Sequence, residues 1–114
     1  MSPNHKKLAW LSSMLTTPPL SQEARVEAGF LLRKIQSGEN IGMPHSRPMP
    51  SIGKSCHELR ITDKNSIWRI FYRIDSDFII IPHWTVKKTQ KTSKVDISLC
   101  QLRLNQYDSI IGEN

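Results

Sequence analysis

The stretch IWRIFYRIDSDFIIIPHW, residues 67–84, decides how this chain of 114 residues folds. Its two halves, residues 67–74 and 78–84, are rich in β-branched and aromatic side chains, which favour β-strands. The polar segment 75–77 between them has the length of a hairpin turn. An alternating run at residues 57–61 comes just before and adds a third strand. The stretch therefore predicts a small sheet built around an antiparallel hairpin.

Alternation along residues 67–74 predicts two different faces for this strand. One face is apolar and aromatic, as in a core, and it consists of Trp68, Ile70, Tyr72 and Ile74. The other face places Arg69 and Arg73 beside two apolar side chains, Ile67 and Phe71. Because burying a guanidinium group is costly, the second face is predicted to be a binding concavity.

The register of the hairpin depends on the length of its loop. A loop of three residues, 75–77, pairs Ile74 with Phe78 and sets His83 opposite Arg69 on the same face. A loop of two or four residues breaks this pairing, and both alternatives stay open.

The whole chain, residues 1–114, is predicted to be one α+β domain with a mostly antiparallel sheet of about four strands. The order is strand, helix, long loop, three strands and helix. Residues 6–11 form the first strand. The prolines and glycines of residues 39–56 exclude a helix or a central strand and predict an ordered surface loop. Within this loop, His45 and Arg47 are interpreted as solvated side chains.

Capping residues and apolar periodicity predict two helices. Ser21 is the expected N-cap of the first helix and Gly38 its C-terminal stop. The apolar face of this helix consists of Ala24, Ala28, Leu31, Leu32 and Ile35. Ser93 and Asp96 match a capping box at the start of the second helix. The residues that follow at helical spacing are Val95, Leu99, Leu102 and Gln106. Residues 108–114 are expected to be a short tail without a structural role.

The composition is that of an ordinary soluble protein with an excess of basic residues. Lysine and arginine total 16 against 10 acidic residues, a formal net charge of +6, which favours an RNA, DNA or acidic protein partner. No apolar run approaches the roughly 18 residues of a membrane span, and the first residues lack the apolar stretch of a signal peptide. We therefore expect a cytoplasmic protein without a membrane partner, with Cys56 and Cys100 as free thiols.

The histidines and cysteines lack the spacing of a metal site, and no nucleotide-binding or acyl-transfer motif is present, so no cofactor is expected. The remaining residues suit metal-independent RNA cleavage, in which the ribose 2′-hydroxyl attacks the adjacent phosphate. Guanidinium groups stabilise the charge that develops, and His83 can exchange a proton near neutral pH. Each side chain also has a structural alternative. The lysines of residues 87–91 would then be a solvated charge run, and His83 would be a hydrogen-bonded histidine at the end of a strand. Arg69 and Arg73 would be ion-pair partners of Asp75, Asp77 or Glu58.

Four motifs, taken in order, resemble the phage-derived, HigB-like branch of the RelE/ParE toxin superfamily. They are ELR at residues 58–60, WRIFYR at 68–73, an apolar strand ending at His83, and KKTQKTSK at 87–94. The similarity continues upstream through MPHSRPMPSIG and the preceding helix. The resemblance implies the toxin of a type II toxin–antitoxin system, an endoribonuclease that cuts mRNA on the ribosome and inhibits translation. It also implies a helix-turn-helix antitoxin as protein partner.

The resemblance also assigns roles to individual residues. Arg69 matches the arginine that contacts the scissile phosphate in RelE-like enzymes, and Lys87 and Lys88 match the basic pair after the last strand. Together with the proton-exchange chemistry of His83, these matches predict Arg69, His83 and Lys88 as the catalytic residues. The predicted RNA-binding residues are Arg60, Arg73, Lys87 and Lys91. The general base and acid are expected among His83, Lys88 and Lys91. The chain departs from RelE in having Cys56 and Glu58 where RelE has lysines, and it lacks a C-terminal catalytic Tyr or His.

Two other functions stay open at this point. ParE-type relatives inhibit DNA gyrase by binding it, and a degenerate relative would bind only an antitoxin or operator DNA. The set of Arg69, His83 and Lys88 favours cleavage, because a phosphate-cutting site needs cations beside a group that transfers protons.

Overall fold

The computed structural model describes residues 5–112, and in this part of the chain a five-stranded sheet carries one helix on each face. The strands are β1 (Lys7–Trp10), β2 (Ser46–Pro48), β3 (Cys56–Thr62), β4 (Ile67–Ile74) and β5 (Phe78–Val86), and the helices are α1 (Gln22–Gln36) and α2 (Lys94–Gly112). The predicted α+β class is confirmed. The sheet has five strands where the sequence predicted about four.

The strands lie in the order β1-β5-β4-β3-β2, so the predicted hairpin of β4 and β5 lies inside the sheet. Strands β2, β3, β4 and β5 pair antiparallel in succession, and β1 pairs parallel to β5. The sheet is therefore mostly antiparallel, as predicted. The additional strand is β2, which lies at one edge.

Strand β2 falls within residues 39–56, which were predicted to be a loop. Its last residue, Pro48, lies on an edge strand, where proline disturbs no hydrogen-bond ladder on the outer side. Its central residue, Arg47, pairs in register with Glu58 of β3. The prolines exclude a central strand, as the sequence indicated, but they permit this short edge strand.

Helix α1 covers the face of the sheet that carries Trp68, Ile70 and Tyr72. Ser21 is its N-cap, as predicted, because the Ser21 hydroxyl accepts a hydrogen bond from the Ala24 N–H at 3.0 Å. The helix is followed by Gly38 at a φ of +90°, a conformation that glycine adopts without strain. The predicted apolar face of α1 is buried against the sheet.

Helix α2 covers the opposite face and begins at the predicted capping box, where the Ser93 hydroxyl accepts from the Asp96 N–H at 3.1 Å. The side chains packed against the sheet are Ile97, Cys100, Leu104 and Tyr107. The predicted tail is wrong as far as Gly112, since the helix continues through residues 108–112; residues 113–114 lie outside the described part. No helix among the described residues is long and apolar enough to cross a membrane.

The register of β4 and β5 differs from the one that a three-residue loop would give. Ile74 pairs with Ile79, and a bulge further along shifts the register again, so that His83 lies opposite Phe71 and not opposite Arg69. The predicted pairing is therefore wrong.

The bulge also determines the direction of the His83 side chain. The bulge contains Pro82, the only proline of β5. At this position the missing N–H of proline costs no hydrogen bond between β4 and β5. Ile80 faces α2, so regular alternation would turn His83 towards α1. The additional residue returns His83 to the face of Arg69, where the His83 and Phe71 rings stack with centroids 5.8 Å apart. His83 and Arg69 therefore share one face, as predicted.

Candidate functional site

A buried carboxylate, Glu58 in the middle of β3, organises the α2 face of the sheet. Its side chain has no solvent exposure, and within the described part of the chain three guanidinium groups contact it. The Nε atoms of Arg47 and Arg60 each lie 3.1 Å from Oε1, and Nε of Arg69 lies 3.0 Å from Oε2. The Thr92 hydroxyl donates to Oε2 at 2.8 Å. These five residues, which we call the Glu58 cluster, combine one negative with three positive charges.

Arg69 is the buried arginine of the cluster, with 2% of its side chain exposed. Its Nη2 donates to the carbonyl oxygens of Thr89 at 2.9 Å and Gln90 at 3.0 Å, while Nε contacts Glu58 as an ion pair without a hydrogen bond. Burial lowers the pKa of the Arg69 guanidinium, and the charge of Glu58 opposes that shift. Arg69 is thus enclosed, and a phosphate would reach it only if residues 89 and 90 moved.

The face of β4 that is directed towards α2 is therefore closed at some of its positions. Arg69 and Phe71 are both buried, so the predicted binding concavity is wrong at these two residues. The cost of burying the guanidinium group is offset by the carboxylate of Glu58, which is itself buried beside it.

A loop at residues 87–93, which we call the lysine loop, joins β5 to α2 and carries the predicted lysines. Lys88 and Lys91 are exposed and Lys87 is half-buried. No side-chain hydrogen bond or ion pair occurs at any of the three within residues 5–112. The backbone of the loop is nevertheless anchored, because Arg69 binds two of its carbonyl groups and Thr92 binds Glu58. An anchored loop thus presents uncompensated ammonium groups to solvent.

His83 lies on the same face, on the neighbouring strand. Its Nε2 is 2.9 Å from Oδ1 of Asp96 in the first turn of α2, and Asp96 also accepts a hydrogen bond from the Ser93 hydroxyl at 2.9 Å. Because an ionised carboxylate only accepts, the imidazole donates through Nε2, and Nδ1 is the acceptor when the ring is neutral. The ring is thereby oriented for proton transfer. The described residues contain no group of three or more His, Cys, Asp or Glu side chains suited to a metal ion.

Arg73 lies apart from these residues, near the hairpin end of β4. Its guanidinium binds Asp108 of α2, with Nη2 to Oδ1 at 2.7 Å, and Asp75, with Nε to Oδ1 at 2.7 Å. These hydrogen bonds, first that to Asp108, raise the pKa of Arg73. Arg73 lies four positions beyond Arg69 along β4, which corresponds to about 13 Å in an extended strand. The structure does not bring Arg73 to the other predicted residues, and its role in RNA binding stays a prediction.

Arg47, Thr92 and Asp96 belong to the site but were not predicted from the sequence. Arg47 was interpreted as solvated because nothing local indicates that β2 places it opposite Glu58. Thr92 lies within the KKTQKTSK motif and Asp96 lies two residues after it, and this proximity was a signal that could have identified both residues. Glu58 was predicted only as a possible structural partner of the strand arginines, and its ion pair with Arg69 confirms that alternative.

A family model described as phage-derived protein Gp49-like (DUF891) matches residues 18–105, more than three quarters of the chain. The chain belongs to this family. The part that matches the Gp49-like model contains the Glu58 cluster, the lysine loop and His83. The phage-derived character of the predicted resemblance is confirmed, whereas its HigB-like branch stays a prediction. No curated protein matches the chain.

Proposed function

We propose that this Gp49-like protein is the toxin of a type II toxin–antitoxin system and acts as a metal-independent, ribosome-dependent mRNA endoribonuclease. The observation that carries the proposal is one surface on the α2 face of the sheet. It combines the positively charged Glu58 cluster, the uncompensated lysines of residues 87–91 and the oriented imidazole of His83. Family membership and the motifs of the RelE-like resemblance support the toxin assignment.

The chemistry of this surface suits cleavage of RNA by its own ribose. The 2′-oxygen attacks the adjacent phosphorus and forms a new P–O bond while the bond to the 5′-oxygen breaks. The products are a 2′,3′-cyclic phosphate and a 5′-hydroxyl. His83 takes the proton of the 2′-hydroxyl through Nδ1, and Lys88 protonates the leaving 5′-oxygen. Ammonium and guanidinium groups around the phosphate stabilise the negative charge that develops on it.

Arg69 acts in this proposal by positioning the loop. Its two hydrogen bonds to the carbonyl groups of Thr89 and Gln90 fix the backbone between the two exposed lysines, Lys88 and Lys91. A fixed cation stabilises a transition state better than a mobile one, because no reorganisation is needed during the reaction. Direct contact of Arg69 with the scissile phosphate requires that these hydrogen bonds open.

The remaining cations hold the RNA. Arg60, Lys87 and Lys91 surround the reacting phosphate and bind its neighbours along the strand. The proposed substrate is mRNA on the ribosome, which places the protein in the cytoplasm. The proposed protein partner is a helix-turn-helix antitoxin that covers the same cationic surface and prevents cleavage.

A second candidate function is a family member without catalytic activity that binds only an antitoxin or operator DNA. The observation that favours it is the burial of Arg69, because this guanidinium group can contact a phosphate only if its hydrogen bonds to Thr89 and Gln90 open. The two functions predict the same binding surface and differ in whether RNA is cut.

Replacing Lys88 by alanine tests the proposed function, since Lys88 is exposed and its removal leaves the core intact. We expect Lys88→Ala to lower the single-turnover rate of mRNA cleavage on purified ribosomes about 100-fold. The matched control is Lys54→Ala, which removes an exposed lysine just before the first residue of β3 and should leave the rate unchanged. The loop that carries Lys88 lies near the other end of β3. Failure of the wild-type protein to cut mRNA would support the second candidate. Equal rates for wild type and Lys88→Ala would contradict the assignment of Lys88.

A further inference from the structure

We propose that Arg47 and Arg60 form a phosphate-binding clamp for a second phosphate of the RNA strand, next to the phosphate that is cut. This inference rests on the proposed function and adds a substrate contact to it. Arg60 was already expected to bind RNA, whereas Arg47 has no assigned role, and their joint attachment to Glu58 is a feature of the tertiary structure alone.

The two guanidinium groups converge on one atom. Nε of Arg47 and Nε of Arg60 each lie 3.1 Å from Oε1 of Glu58, so the two Nε atoms are no more than about 6 Å apart. Two like charges at this separation repel each other, and the oxygen between them is shared. An additional anion on the solvent side of the pair would relieve the repulsion that the single carboxylate leaves.

Both arginines keep unused donors. Arg60 contacts Glu58 through Nε, and among the described residues neither of its Nη atoms has a hydrogen-bond partner. Arg47 uses Nε on Glu58 and Nη2 on the Thr92 hydroxyl at 3.4 Å. The side chains of Arg47 and Arg60 are 31% and 25% exposed, in contrast to the enclosed Arg69. Each therefore presents N–H groups to solvent from a fixed position.

The geometry of the pair fits a phosphate. Guanidinium groups bind phosphate oxygens through two parallel N–H donors, and two adjacent guanidinium groups can bind two oxygens of one phosphate. The buried carboxylate holds both side chains before any ligand arrives. Less side-chain freedom is then lost on binding than for a flexible surface arginine.

The position of the clamp indicates which phosphate it takes. Arg60 lies directly opposite Arg69 in the β3–β4 pairing, and Arg47 lies on β2 at the edge of the sheet. Thr92, at the end of the lysine loop, bonds both to Arg47 and to Glu58, so the clamp is continuous with that loop. An RNA strand that passes over the lysine loop towards the β2 edge meets the clamp next. We therefore assign it a neighbouring phosphate of the same strand.

The test measures binding without cleavage. A short, fluorescently labelled single-stranded RNA with 2′-O-methyl groups on every ribose cannot be cut, and its affinity is titrated at several salt concentrations. Arg47→Ala should weaken binding about tenfold and reduce the salt slope by about 0.7, the value for one phosphate contact to a single strand. Arg47→Lys should keep most of the salt slope but recover the affinity only in part, because ammonium lacks the bidentate geometry.

The matched control is Arg25→Ala, which removes an exposed arginine from α1 on the other face of the sheet and causes the same loss of net charge. Equal weakening by Arg47→Ala and Arg25→Ala, with folding of both verified by urea denaturation, would overturn the clamp. Unchanged RNA affinity of Arg47→Ala together with weaker binding of a polyglutamate peptide would also overturn it, in favour of an acidic protein ligand. Because the probe is uncleavable, a selective effect of Arg47→Ala supports the clamp even if the wild-type protein fails to cut mRNA on ribosomes. That failure would instead contradict the proposed function.

Discussion

Replacement of Glu58 by glutamine removes the only negative charge of the Glu58 cluster while almost preserving side-chain volume. Three cations, of which Arg69 is 2% exposed, then lose their common partner. We expect Glu58→Gln to be among the most destabilising single substitutions in this protein. The reason is that the variant keeps a buried guanidinium group without a counter-charge.

The magnitude follows from the geometry. At the observed separations of 3.0 and 3.1 Å, each ion pair of Glu58 has a Coulomb energy of about 5 kcal/mol at an effective dielectric constant of about 20. The desolvation of Glu58 and Arg69 offsets most of the summed attraction. Removing one partner of a buried ion pair typically costs about 3–5 kcal/mol, and we expect a value near the upper end. A loss of this size is a large part of the total stability of a small domain, about 5–15 kcal/mol.

Replacement of Arg69 by methionine should cost clearly less, although it disrupts the same ion pair. Glu58 then keeps Arg47, Arg60 and the Thr92 hydroxyl as partners, so no buried charge is left uncompensated. The two carbonyl groups that lose Arg69 lie on exposed residues and can be hydrated. We expect a loss of about 1–2 kcal/mol.

Urea denaturation followed by circular dichroism measures both free energies of unfolding, provided that the m-values agree. Glu39→Gln is the matched control, because Glu39 forms an exposed ion pair with Lys34 at 3.9 Å and should contribute less than about 1 kcal/mol. A free-energy loss for Glu58→Gln no larger than that for Glu39→Gln would refute the role of the buried ion pairs. An equal loss for Arg69→Met and Glu58→Gln would also refute it, because the expected difference between these two variants comes from the buried charges that remain.

Two further predictions concern the α2 face of the sheet. Hydrogen bonds from Arg73 lower the pKa of Asp108, so this carboxylate stabilises the protein fully above the unfolded pKa of about 3.9, and the contribution is lost as the pH falls through the lower folded pKa. The difference in urea midpoint between wild type and Asp108→Asn should accordingly disappear on acidification, and a difference that persists at the lowest pH would contradict the ion pair. Burial raises the pKa of Cys100 to about 12 and also raises that of Cys56, so both thiols should react with a thiolate-directed reagent only after unfolding. Rapid reaction of the native protein at mildly alkaline pH would show that the sheet and α2 are not packed as described.

Features that depend on neighbouring residues could be predicted from the sequence. The caps at Ser21 and Ser93, the glycine at the end of α1 and the apolar face of α1 all follow from residues within a few positions of one another. The hairpin and the α+β class follow in the same way from strand propensity and turn length. Such features need no knowledge of the rest of the fold, because their interactions are made within one helix or across one turn.

Strand β2 and the last turns of α2 could not be predicted from neighbouring residues. Residues 46–48 have no strand signal of their own and pair only because β3 offers a free edge. The last turns of α2 were predicted as a tail because their sequence contains no obvious partner. Asp108 receives its partner from Arg73, 35 positions earlier in the chain. Both elements are stabilised by contacts with distant segments.

The sequence by itself determined the class of the fold, the helix boundaries near their caps and the types of residue that make up the proposed phosphate-binding surface. Only the tertiary structure decided which of those residues act together. The bulge at Pro82 turns His83 towards Asp96, and Glu58 gathers Arg47, Arg60 and Arg69 from three different strands. The physical reason is that a buried charge is tolerable only beside its counter-charge. The identity of that counter-charge depends on strand register, which changes when a single residue is inserted.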